Sequence, residues 1–261
     1  MPMFCLCKRK SKALRMAGHR MAWVCVVLTA GGLLGATAGS AAETIGKTAV
    51  SRNIVEQVAT TPAAIQVGDN VFANENVRTG EASAAKFVFS DETNLALGAT
   101  STVKLDRFVY KGQSSYLKAA VNFTAGAFRF TTGGSEKGAY QLKTTTATIG
   151  VRGTVFDVLV AGGETTITLV EGAVDICPRK EFDGNPRKLS KAQRKAFHCV
   201  ELNQVGQTAS VTSRRASLKS IPFSFADAAG CDGGLCGTTT TAELTQPAGG
   251  GGGLMCYMKQ E

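Results

Sequence analysis

Ala84-Ala85-Lys86-Phe87-Val88-Phe89-Ser90, followed by Asp91-Glu92-Thr93-Asn94 and then Leu95-Ala96-Leu97, decides the class of fold. Residues 85–90 alternate large apolar side chains with other residues, the period-2 mark of a half-buried strand. Residues 91–94 carry turn chemistry, and 95–97 resume the apolar pattern. Working outward, similar short runs fall at 48–50, 53–58, 67–71, 102–110, 118–130 (broken by Ala125-Gly126), 140–144 and 147–151. An Arg152-Gly153 turn is expected next, then strands over 154–160, 165–170 and 173–176. Turn signals recur roughly every 8–12 residues with little helical periodicity, which predicts an all-β fold. The expected architecture is stacked short strands in a solenoid-like roll or compact β-sandwich, one domain with a flexible C-terminal tail.

The formal net charge is +9, from 29 basic and 20 acidic residues. Six of the basic residues (Lys8, Arg9, Lys10, Lys12, Arg15 and Arg20) lie in residues 1–42, which hold no Asp or Glu; without them, 23 basic residues face 20 acidic. A nucleic-acid binder keeps a dense basic stripe in its folded part, so no nucleic-acid partner is expected. The cationic stretch precedes an apolar run from Met21 to Ala38 and then Gly39-Ser40-Ala41-Ala42. That order is a secretory signal pattern, with cleavage after Ala42 and an uncleaved anchor as the alternative. The protein is therefore expected in the periplasm or outside the cell. Domain organisation follows: 1–42 signal peptide, 43–221 β domain, and 222–261 a Cys- and Gly-rich, mostly disordered tail that includes the glycines 249–253.

Cysteine usage agrees with export. Beyond residue 42 stand Cys177, Cys199, Cys231, Cys236 and Cys256, and exported cysteines tend to pair. A Cys177–Cys199 bridge would staple a hairpin whose tip is the basic segment 179–196, and Cys231–Cys236 would close a tight loop. The odd Cys256 allows a disulfide-linked oligomer. No C-x₂-C pair exists and His198 is the only histidine beyond the signal, so no metal site or cofactor is expected. No nucleophile elbow or phosphate loop appears either, and Asp69, Asp91, Asp106 and Asp157 read as solvated turn or strand-face residues. No catalytic residue is assigned, and no enzyme activity is expected. The candidate binding residues are Arg179, Lys180, Arg187, Lys188, Lys191, Arg194 and Lys195 in the basic loop, opposed only by Glu181 and Asp183. Such a surface suits an acidic protein or an anionic envelope component and predicts salt-sensitive binding.

Two stretches resemble a known family. Residues 83–97 are similar to the "S-x-A-x-L-x-F-x-D-G-T-x-L-x-L" run of FecR domains, with Glu92 at the position of the family's glycine. Residues 144–158, containing Val151-Arg152-Gly153-Thr154, resemble its "T-P-x-A-x-x-x-V-R-G-T-x-F-x-V", with Thr145 in place of the proline. Thr165 to Val174 and Val200 to Gln207 fit its later strands, so the resemblance covers about 65–210. In that motif Gly153 permits a positive-φ turn, Phe156 and Val158 point to the core, and Asp157 points away. Arg152 is expected to pair with Asp157 or Glu171 or to bond carbonyls at a strand end, and Gly172 to serve a turn. The family's best-known members regulate iron uptake from the inner membrane through a cytoplasmic segment that engages a sigma factor. Only about 20 residues precede Met21, so the resemblance implies a stand-alone exported module with no sigma-factor partner. The function expected is a binding or signalling module contacting an envelope protein. A structural, surface-associated protein linked through its tail is the alternative, and a hydrolase would require converging carboxylates in a pocket.

Overall fold

The computed structural model describes residues 43–136 and 138–245, with only the backbone described at Arg152, Ala242 and Thr245. The expected signal peptide, its cleavage point at Ala42, and Cys256 lie outside the described residues. Fifteen strands join in one hydrogen-bonded network: β1 (Thr44–Arg52), β2 (Val55–Gln57), β3 (Ala63–Ala64), β4 (Asn70–Phe72), β5 (Glu75–Thr79), β6 (Ala84–Phe89), β7 (Asn94–Leu97), β8 (Thr102–Gly112), β9 (Ser115–Thr131), β10 (Tyr140–Thr144), β11 (Ala147–Ala161), β12 (Glu164–Pro178), β13 (Val200–Leu202), β14 (Thr208–Val211) and β15 (Ala216–Lys219). The all-β, one-domain expectation holds.

Three long strands, β9, β11 and β12, fold this network into two layers. Each changes neighbours part-way along, at Gly126, Gly153 and Gly172, and all three glycines have positive φ. The C-terminal half of β9 pairs with β7 and β11, whereas its N-terminal half pairs with β8 and, in parallel, with β10. The first layer therefore runs β4-β1-β6-β7-β9-β11-β12-β14-β15, and the second runs β3-β2-β5-β8-β9-β10-β11-β12-β13. Aromatic side chains meet between the layers: Phe130 with Tyr140 at 5.8 Å, and Phe89 with Phe108 at 5.3 Å. Burying such rings is the main favourable term in the core.

One sequence expectation is corrected here. Residues 152–153 make no turn; β11 continues from Ala147 to Ala161 and is kinked at Gly153, whose φ is +57°. Bulges of this kind bend a strand without ending it. Gly172 likewise lies inside β12, not in a turn. A Cβ at Gly172 would sit 2.1 Å from the Gly153 carbonyl oxygen, so the two kinks nest against each other.

The expected tail is corrected over residues 222–245. Three short helices follow β12: α1 (Lys191–Ala196) in the basic loop, then α2 (Phe225–Ala229), capped by Ser224, and α3 (Thr241–Thr245). From α2 onward the chain lies on the outer face of the first layer, where Phe225 and Leu235 pack with Ala84, Ala96 and Ala127. Two buried apolar anchors and a disulfide supply the order that the Gly- and Thr-rich composition does not. Covering that face also buries side chains expected in solvent. Asp157 is 1% exposed and pairs with Arg129 at 2.7 and 2.9 Å while accepting the Phe225 N–H. Asp91 is equally buried, but by residues of the β domain itself, accepting from Ser135 Oγ, Tyr140 Oη and the Thr93 N–H. Buried carboxylates require such partners.

Candidate binding surface around the basic loop

The loop after β12 is built, not slack. Cys177 and Cys199 are joined by a disulfide. Asn185 accepts from the Arg187 N–H to cap a single 3₁₀ turn, and its amide donates to the Tyr140 carbonyl at 3.1 Å. Ser190 and Gln193 form a reciprocal capping box at the start of α1. Phe182 stacks on Phe197 at 5.5 Å, joining the two limbs of the loop.

The seven cations of this loop divide by type. Arg187 and Arg194 both reach the fully buried carboxylate of Asp175, Arg194 at 3.1 Å. Arg179 bonds Asp183 at 3.1 Å and the Thr144 carbonyl at 2.8 Å. Lys143 also holds Asp183, at 2.9 Å. Burial pushes the Asp183 carboxyl up, but the hydrogen bonds and charges of Lys143 and Arg179 outweigh it and hold it below the usual range. Lys180, Lys188, Lys191 and Lys195 are exposed, and no ion pair joins them to the described residues. The guanidinium fork suits fixed, multi-bond contacts, whereas lysine ammoniums remain hydrated point charges. The arginines therefore fasten the loop, and the lysines present its charge.

Beside the loop the outer face of the second layer forms a groove of about 620 Å³. Its floor is Val109, Leu117, Ala139 and Phe182, and Lys118 and Lys188 stand on its rim. Leu117, near the start of β9, is 63% exposed, a large apolar side chain left facing solvent. The loop's charge and this groove are thus contiguous through Lys188. Leu117 and Val109 were not among the sequence candidates; the signal available was apolar residues on both parities of 109–121.

The motif residues lie elsewhere. Thr154 is buried, donating from Oγ1 to the Ala173 carbonyl at 3.0 Å and from its N–H to Thr132 Oγ1 at 2.7 Å. Gly153 and Gly172 form the nested kinks. Asp157, one partner considered for Arg152, pairs with Arg129; the Arg152 side chain lies outside what is described. Phe156 and Val158 are fully buried, as expected. Strand β11 and its kink thus join the two layers, a structural role. Residues 75–175 match the family described as FecR protein. The chain carries a FecR domain. Two crystal structures of a "putative anti-sigma factor" from Parabacteroides distasonis are similar at 13% and 12% identity, each with a TM-score of 0.38. Each match covers 58% of this chain and 61% of the other, so this chain spans less than two thirds of that protein. No curated protein matches the sequence. Within the FecR domain lie the groove floor at Val109, Leu117 and Ala139 and the buried Asp175; the basic loop follows it.

Proposed function

We propose that this protein is an exported, non-catalytic FecR-domain signalling module that docks an acidic envelope protein on the groove beside its basic loop. The FecR domain supports a signalling or regulatory role. The observation that carries the docking reading is the apolar floor of Val109, Leu117 and Phe182 with Lys118 and Lys188 on its rim. Apolar anchors supply contact energy, and rim charges steer and select the partner. The two disulfides support export to an oxidising compartment. Neither a nucleic acid nor a sigma factor is needed by this reading.

Capture from envelope extract tests it, comparing the wild type with a Leu117→Asp/Lys188→Glu variant. The wild type is expected to retain a partner that the variant loses at least tenfold, with retention falling as salt rises. Equal capture by both proteins overturns the docking site. The second reading, a surface protein linked through its tail, is favoured by one observation. Cys177, Cys199, Cys231 and Cys236 are all consumed in internal bonds, which leaves Cys256 without a mate among them. Dimers on a gel that vanish on reduction and in Cys256→Ser would support it; monomers throughout would remove it.

A further inference from the structure

Lys86 lies at the centre of the first layer's outer face, and its residue is fully buried. Its ammonium donates to the Gly234 carbonyl at 2.9 Å, the Gly237 carbonyl at 2.6 Å and Thr239 Oγ1 at 2.7 Å. On the adjacent strand, the Asn94 side-chain amide donates to the Thr239 carbonyl at 3.0 Å and accepts the Thr239 N–H at 2.9 Å. It thus pairs with one residue's main chain as a neighbouring strand would. Glu92 accepts from both the N–H and the hydroxyl of Thr241. These three side chains grip the segment 234–241 through carbonyls, amides and hydroxyls, without a β-ladder. That is how a protein reads an extended peptide by its backbone.

The grip depends on the loop that presents the carbonyls. Gly233 and Gly234 both have positive φ, and they lie between Cys231 and Cys236, which are bonded to each other. Closing that loop keeps the Gly234 carbonyl turned toward Lys86, with Leu235 buried beside it. The two disulfides also differ in access: Cys231 is exposed, whereas Cys177 is fully buried. A soluble dithiol therefore meets the Cys231–Cys236 bond first.

We propose that the face at Lys86, Asn94 and Glu92 is a peptide-binding site occupied in cis by residues 234–241 and latched by the Cys231–Cys236 bond. Opening the latch frees the site for an extended Gly- and Thr-rich peptide from another chain. In that step a dithiol gives two electrons and two protons, yielding the Cys231 and Cys236 thiols and the oxidised dithiol. Lys86, buried among alanines, retains its need for oxygen acceptors once the segment leaves, because an unpartnered ammonium is costly in such a setting. The site therefore selects a ligand offering carbonyls and hydroxyls at the same spacing. It lies on the other layer from the groove and stands independently of the docking reading above.

The test uses the full chain and a labelled peptide of residues 231–241 carrying serine at both cysteine positions. With Cys231→Ser/Cys236→Ser, the Thr239 and Thr241 amides are expected to exchange at least tenfold faster, while amides of 165–169 keep their protection. The peptide is expected to bind this variant at least tenfold more tightly than the oxidised wild type, at one per chain. Adding Lys86→Met should remove that binding. Should Lys86→Met fail to fold, Asn94→Ala in the same background serves, with at least a tenfold loss expected. Unchanged exchange over 234–241, equal peptide binding with and without the latch, or binding indifferent to Asn94→Ala each overturns the proposal.

Discussion

Gly153 and Gly172 are both exposed, both at positive φ, and yet unequal. A Cβ at Gly153 meets nothing within 4 Å, whereas one at Gly172 runs into the Gly153 carbonyl. Left-handed backbone costs a non-glycine residue about 1–2 kcal/mol, and forced overpacking adds about 1–3 kcal/mol. Gly172→Ala is therefore expected to lower stability by about 2–5 kcal/mol by those two terms together, and Gly153→Ala by about 1–2 kcal/mol from strain alone. Urea unfolding of the two variants reads the difference, and equal losses would mean the kinks do not nest. The sequence marked Gly153 as a point of positive φ and Gly172 as a turn glycine. Their use as strand kinks was not legible, because a bulge and a turn ask the same of a single residue. Asp157 shows the complementary limit. Alternation with Phe156 and Val158 correctly assigns it to the opposite face, but only the packed segment at 222–241 makes that face an interior.

At the scale of elements, the basic loop shows how charge count misleads. Seven cations against two anions suggested an open binding surface, but Asp175, on the strand that leads into the loop, binds two of the arginines. That carboxylate was legible as an outward position between Val174 and Ile176; its partners, 12 and 19 residues further on, were not. The Cys177–Cys199 bond is the element's other fastening, a pairing the sequence offered as a candidate. Chain-entropy arguments for a loop of this length give about 3 kcal/mol. The Cys177→Ser/Cys199→Ser variant is expected to lose about that much in denaturant unfolding, with its exposed lysines still in place. A loss well under 1 kcal/mol would show that the arginine–Asp175 pairs and the caps hold the loop unaided.

For the whole molecule, the two facing layers bury phenols as well as hydrocarbon. Tyr116 donates to the Ile45 carbonyl, and Tyr140 donates to Asp91. Burial pushes both phenols well above the ordinary tyrosine range, and the Asp91 carboxylate adds to the effect at Tyr140. Because the folded state holds these protons more tightly, the stability they contribute is complete below about pH 10 and is lost progressively above it. Alkaline titration followed by phenolate absorbance should show these two groups ionising only together with unfolding; early ionisation of both would contradict their burial. The sequence by itself determined the all-β class, the FecR resemblance and the inward set of apolar side chains, and it offered the two disulfide pairings as candidates. Each follows from short-range pattern: period-2 alternation, motif spacing, and cysteine separation. Tertiary structure alone decided which polar residues are interior. Lys86, Asp91, Asp157 and Asp175 depend on what lies across from them, and alternation names a face without naming its cover.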